Sequence, residues 1–492
     1  MSVRRYQSKL SLLTAVLAVL KLPPWEKGFA LYFKYLNRLG GQPMKLQYLV
    51  LLFLALSAQA RPIPKEVEKL IPRNININSP EFVFAKREML DLLKMCGSGV
   101  FQGVSKEESK NECDFQVALD EHFFLPPWMK TGLLPEKDWA YQDGVVWVKP
   151  RPEEIPENFD LRDFMSNGIP EIKKQECGDC WAWATHHGLE ISRAVHDQEV
   201  FDHSIQTILS CSKKGSCSGG YMSAVGFLIH GLPYEQEFPY SGNNASCKYN
   251  SSQIEKGWDA KIIAAPYIGS SKDFSRFKQK KDGSYRPTSL KEMAQAMVEW
   301  KAPLVVTVSA YSLSGPGVYS ECSNVNSGGN HMVAIVGWEL WQGKLVAHVW
   351  NSWGKKHGQD GVSRIVWDCG NGRLNRGLGV SARVVQYKAD CQTPYPAQKA
   401  KHLINEEDNG VEIGVPMTKN TQCSWFPKEG LDDPESCQPI AHPSSTTEYH
   451  LTATNECGTA SSMTLVEVRG SKNQEPIFWI RTPFGKVKKT GN

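Results

Sequence analysis

The sequence predicts an α+β fold followed by a small all-β unit, and three observations carry this reading. A Pro-free stretch from Cys180 to Val195 sets Ala182, Ala184, Leu189 and Ile191 at near-helical spacing behind a Gly-containing turn. Strand-like runs follow at 304–308, 331–338 and 345–350, so the helix precedes the strands instead of alternating with them. Short alternating segments at 412–415, 448–454 and 463–468, separated by Pro and Ser turns, then read as a β-sandwich.

At 492 residues the chain has length for about three folded units. The 56 Lys and Arg nearly balance 52 Asp and Glu, 22% of residues are charged and 41% are hydrophobic. That composition argues against disorder and against a protein that coats nucleic acid. Thirteen Cys is high for a reducing compartment, and the odd count leaves one thiol over if the others pair.

In chain order, two apolar runs come first. Leu10–Leu20 follows basic residues but lacks a small-x-small cleavage site. The second run, 46–56, sits behind Met44 and Lys45 and ends in Ala58-Gln59-Ala60, the layout of a signal peptide and too short for a membrane span. Residues 1–43 are thus expected to be an upstream leader or a mis-called start, 44–60 a signal peptide, and the product secreted. Residues 61–154 carry Phe82-Val83-Phe84, a helical stretch at 88–95 and a Pro-rich end at 148–152. They read as a pro-segment, with a structural extension as the alternative. Residues 155–390 hold most of the Trp and Cys and form the expected catalytic domain, 400–470 the β-sandwich, and 471–492 a basic tail or an incomplete further strand.

The strongest local signal is Gln175-Glu176-Cys177-Gly178-Asp179-Cys180-Trp181. A thiol on the first turn of a buried helix has its anion favoured by unpaired backbone N–H groups and the helix dipole. As a nucleophile it needs an imidazole to exchange its proton and donors for an oxyanion. His331, beside an apolar strand, and Asn351, in Asn351-Ser352-Trp353-Gly354, complete such a set. Cys177-x-x-Cys180 taken alone also fits a redox pair or half a zinc site, and His186, His187 and His348 read as structural.

These motifs, in this order, with Ile155-Pro156-Glu157-Asn158-Phe159-Asp160 ahead of them, resemble the papain-like cysteine peptidases over about half of the chain. The resemblance implies a two-lobed fold with Cys180 as nucleophile, His331 as general acid and base, Asn351 orienting the imidazole, and Trp353 shielding their bond. Gln175 with the Cys180 N–H would form the oxyanion hole, although it stands one residue nearer to Cys180 than the family has it. Gly219 and Gly220 would hold an extended peptide, and Tyr221, Met222, Thr307 and Gly329 would line an apolar subsite. The implied disulfides are Cys177–Cys217 and Cys211–Cys247, with Cys322–Cys369, Cys96–Cys113 and two pairs among Cys391, Cys423, Cys437 and Cys457 besides, leaving Cys180 free. No cofactor or metal is required. The implied partners are protein or peptide substrates and no nucleic acid, with the enzyme a monomer. The segment around Cys423-Ser424-Trp425 and Thr446–Gly458 resembles an immunoglobulin-like module of the polycystic-kidney-disease type, which would bind an extracellular surface or polymer. Asp179 beside the nucleophile is unusual and would raise its pKa through like charge. The other readings are an inactive binding or adhesion protein on the same fold, and a transpeptidase using the same residues.

Overall fold

The structure, a computed structural model, describes residues 62–104, parts of 117–124, 131–273, 289–309 and 317–469 apart from short gaps, and the backbone of 478–489. The expected leader and signal peptide lie outside the described residues, as does most of the charged stretch 270–286. No helix among the described residues is long and apolar enough to cross a membrane.

The N-terminal segment folds around helix α1 (Pro80–Cys96). Ser79 caps it by accepting from the Phe82 N–H at 3.2 Å, Pro80 supplies a preset φ at the first turn, and Gly97 leaves it at φ 78°. Phe82 therefore belongs to this helix, which starts eight residues ahead of the expected 88–95 stretch. It stacks on Phe124 with ring centroids 5.7 Å apart, and Ala85, Met89 and Leu92 share its buried face at helical spacing.

The remaining elements are β1 (Trp147–Lys149), β2 (Phe159–Asp160), helix α2 (Cys180–Asp197), helix α3 (Ile205–Cys211), β3 (Gly215–Ser216), β4 (Gly219–Gly220), β5 (Tyr267–Ile268) and helix α4 (Leu290–Trp300). There follow β6 (Leu304–Val308), β7 (Val318–Tyr319), β8 (His331–Trp341), β9 (Lys344–Trp350), β10 (Val362–Val366) and β11 (Ala382–Val384). The C-terminal strands are β12 (Lys401–Asn405), β13 (Val411–Glu412), β14 (Gln422–Phe426), β15 (Ile440–Ala441), β16 (Thr447–Asn455) and β17 (Gly458–Arg469). The backbone of 478–482 and 485–489 pairs antiparallel, in the segment read as a basic tail or an incomplete further strand.

One 13-stranded sheet dominates, in the order β14-β16-β17-β1-β5-β11-β6-β8-β9-β10-β7, with β12 on β17 and β2 on β8. The alternation of β6 shows how it is covered. Leu304, Val306 and Val308 join the cluster of Met293 and Met297 from α4, whereas Val305 joins Leu189 of α2. The two helices thus lie on opposite faces of the sheet, and α2 is buried from Cys180 to Val195, its polar Glu190 paired with His203 at 2.7 Å.

The C-terminal strands form a sheet, as the alternating pattern predicts. Its core holds Trp425, Tyr449, Leu451, Ala453 and Val466 beneath Ile413 and Ala441 of the small β13–β15 ribbon. The difference lies in its attachment. The sheet is continuous with that of residues 155–387 through β1, a strand at the Pro-rich end of the expected pro-segment. Three residues before Pro150 are too few to show a period, so sequence pattern alone does not reveal the strand. Trp425 is 2% exposed and its indole N–H donates to the Ser436 carbonyl at 2.8 Å. Trp425→Ala is expected to destabilise this unit by about 3–5 kcal/mol, read from denaturant unfolding of the full chain.

Candidate active site

Cys180 opens α2, and the loop before it is tied down by the Cys177–Cys217 disulfide and by Gly178 N–H donating to the Cys217 carbonyl at 2.9 Å. Cys177 is therefore not a redox partner of Cys180. Cys211–Cys247, Cys322–Cys369 and Cys423–Cys437 pair as well. Cys96 and Cys457 are also disulfide-bonded, while Cys113 and Cys391 lie outside the described residues. Cys180 is the free thiol among the described residues, and none of these carries a cluster of His, Cys, Asp or Glu suited to a metal ion.

His331 begins β8 and Asn351 follows the last residue of β9, so antiparallel pairing brings both to one end of the sheet, against α2. His331 Nε2 donates to Asn351 Oδ1 at 2.8 Å, which leaves Nδ1 of a neutral imidazole as the nitrogen able to take a proton. The Trp353 ring stacks on the imidazole with centroids 4.9 Å apart. Gln175 is buried beside them, its Oε1 accepting from the Ser352 hydroxyl at 2.6 Å and its Nε2 donating to the Cys177 carbonyl at 2.8 Å.

Gly219 and Gly220 pass across the indole of Trp181, whose Nε1–H donates to the Ser216 carbonyl. A Cβ on Gly220 would fall 2.4 Å from that ring, so only glycine lets the strand lie there. Met222 is buried in the same cluster as Cys180 and Met332, and Tyr221 precedes it. Thr307 and Gly329 touch, since a Cβ on Gly329 would meet the Thr307 Cβ at 2.7 Å.

The space between these groups is filled by the chain itself. Leu133 pairs with Gly220 in parallel sense, the Gly220 N–H donates to the Gly132 carbonyl at 2.8 Å, and the Leu134 N–H donates to the Gly220 carbonyl at 2.8 Å. On the other side the N–H groups of Gly132 and Leu133 donate to the Asn330 carbonyl at 3.2 and 3.1 Å. A Cβ on Gly132 would lie 2.0 Å from the Gly178 carbonyl oxygen, next to the nucleophile loop. This seat was not found in the sequence. The available signal was weak: a glycine and two leucines before Pro135, a residue that biases its predecessor to extended backbone.

Enclosure sets the electrostatics. Burial pushes the Cys180 thiol far up, with the Asp179 charge adding to it against backbone N–H groups of Met332, Trp181 and Leu133. Burial also lowers His331 to about 4, opposed by its bond to Asn351. Thiol and imidazole are thus both neutral at ordinary pH under this cover. Asp179 is raised to about 7 by burial, opposed by the Tyr240 hydroxyl that donates to it at 2.8 Å.

The charge of Asp179 therefore appears only as pH rises through about 7, and there it opposes the thiolate. Asp179→Asn removes that penalty. In the uncut chain the variant is expected to match wild type on the acid side and to alkylate at Cys180 faster above about pH 7, read from the carboxymethylation rate between about pH 5 and pH 9. Coincident alkaline limbs would show that Asp179 does not act on the thiol. His186 and His187 lie buried along α2, and His348 binds Asp160 at 2.6 Å, all away from this chemistry.

The family model described as Papain family cysteine protease matches residues 155–373. A viral cathepsin of Adoxophyes honmai nucleopolyhedrovirus is 29% identical over 239 residues, 47% of this chain and 63% of the relative. Cathepsin O of Homo sapiens is 28% identical over 220 residues, 43% of this chain and 61% of that protein. The chain thus spans under two thirds of the length of either relative. Among solved structures, the digestive procathepsin L 3 of the Tenebrio molitor larval midgut aligns with a TM-score of 0.46 at 20% identity, covering 67% of this chain and 95% of that one. The family match and the relatives together identify residues 155–373 as a papain-family cysteine peptidase domain.

Proposed function

We propose that the chain is the latent precursor of a secreted cysteine endopeptidase that cleaves peptide bonds through Cys180, His331 and Asn351. The observation that carries this reading is their convergence under a segment of the same chain that occupies an extended-peptide seat. With 131–134 gone, water and substrate reach the site and the reason for two neutral groups disappears. His331 Nδ1 takes the Cys180 proton, and the thiolate, favoured by the N-terminal end of α2, attacks the substrate carbonyl. The developing oxyanion is met by the Cys180 N–H and the Gln175 amide. The imidazolium then protonates the leaving amine, water hydrolyses the thioester, and Asn351 holds the ring throughout.

Substrate would bind as an extended strand on Gly220, with an apolar side chain toward Met222, Thr307 and Gly329 and beside Tyr221. The disulfides fit an oxidising compartment and hence export. The C-terminal strands with their covering ribbon are read as a small two-layer sandwich that binds an extracellular surface or polymer, and the enzyme as a monomer.

The test is labelling with an epoxide peptide probe, followed by peptide-level mass spectrometry of wild type and Cys180→Ala. An adduct on Cys180 of wild type that forms only after residues 131–134 are removed is the expected result. A trimmed chain that stays unlabelled at acidic and neutral pH would instead support an inactive binding protein. Products joined to an added amine would point to transpeptidation.

A further inference from the structure

Within the stretch expected to leave as a pro-segment, two parts are held in different ways. Residues 131–134 lie on the cleft through backbone hydrogen bonds to Gly220 and Asn330. Residues 139–149 are built into the body. Strand β1 pairs antiparallel with β17 through Trp147–Ser461, Val148–Ala460 and Lys149–Thr459, and parallel with β5 on its other edge. It is thus the strand that joins the C-terminal sheet to the peptidase sheet.

The side chains agree with that placement. Val146, Trp147 and Val148 are at most 3% exposed, and the Trp139 ring sits 4.3 Å from that of Tyr267, a β5 residue. Polar ties reach the C-terminal unit directly. The Tyr141 hydroxyl donates to Glu448 at 2.7 Å, the Gly144 N–H to the Gln398 carbonyl at 3.0 Å, and the Ala400 N–H to Asp143 Oδ1 at 2.8 Å. Withdrawing this stretch would expose the facing edges of β5 and β17 in the middle of a sheet and empty the pocket of Trp147. Each exposed edge strand is a row of unpaired backbone groups, and a buried tryptophan is among the costliest side chains to remove.

We propose that residues 139–149 stay in the mature enzyme as a permanent strap between the peptidase and the C-terminal sheet, and that the activating cut falls N-terminal to Trp139. This rests on the peptidase reading above for the identity of the cutting activity, not for the strap. The step is hydrolysis of one peptide bond, in which water supplies the oxygen of the new carboxylate and the proton of the new amine. It frees residues 131–134 from the cleft and leaves the strap covalently joined to Phe159 and Cys180. The mature chain then begins ahead of Ile155, where the family resemblance would start it.

Two arms test this. Full-length wild type is matured at acidic pH, and its new N-terminus and its Cys180 adduct with the epoxide probe are identified by mass spectrometry. In the second arm the inert Cys180→Ala chain is digested briefly with subtilisin and the N-terminus of the surviving core is identified. The expected result is a matured chain that starts between Pro135 and Trp139 in the first arm and a core that starts at or before Trp139 in the second, both containing Trp147. A folded core that starts after Lys149, with the C-terminal unit still attached, would overturn the strap. If wild type neither matures nor labels, the peptidase reading fails, and the subtilisin arm still decides the strap by where the Cys180→Ala core begins.

Discussion

Replacing His331 by Ala in the matured enzyme is expected to lower kcat/KM by about 10⁴-fold, because in the proposed mechanism one side chain serves as base for the thiol and acid for the leaving amine. The histidines read as structural are not placed to take over. His186 and His187 are buried along α2 with their own neighbours, and His348 is held by Asp160. Asn351→Ala should cost less, about 10²-fold, since the imidazole remains and only its orientation and the 2.8 Å bond are lost. Steady-state rates on a fluorogenic peptide, with active sites counted by the epoxide probe, give both values. Equal losses for the two variants would mean that Asn351 does more than orient the ring, and an active His331→Ala enzyme would remove this histidine from the mechanism.

The second large effect concerns latency. Gly132→Val puts a Cβ where 2.0 Å separates it from the Gly178 carbonyl oxygen, a contact that real Cβ atoms do not make. The Gly178 loop cannot yield easily, because Cys177–Cys217 and the Gly178-to-Cys217 hydrogen bond hold it. Residues 131–134 must therefore lift, the thiol regains water, and the burial that pushes it up is relieved. Each unit by which the pKa falls raises the thiolate fraction tenfold, so alkylation of Cys180 in the uncut Gly132→Val precursor is expected to quicken by about 10²-fold or more. The measurement is the carboxymethylation rate of Cys180 in chain confirmed as full length by intact mass. A rate equal to that of the wild-type precursor would show that this seat is not what restrains the thiol.

Much of the fold was legible residue by residue. Helix α2 forms where Pro is absent and Ala182, Ala184, Leu189 and Ile191 keep a helical period, and it runs two residues past the expected Val195. Strands β6, β8 and β9 and the long pair β16 and β17 fall on the apolar or alternating runs that predict them. By contrast β12 and β1 were not read, since Lys401–Asn405 has exposed alternate positions without a clear apolar run and Trp147–Lys149 is too short to show a period.

By itself, then, the sequence determined the elements with long local patterns and the motifs that hold the candidate cysteine, histidine and asparagine. The tertiary structure alone decided three things: that Gly132 and Leu134 occupy the edge of Gly220, that β1 joins two sheets, and that Asp179 is buried against Tyr240. The reason is physical. Helices and long strands are specified by side chains a few residues apart, whereas edge pairing uses backbone groups that every residue carries, and burial is set by neighbours distant in sequence.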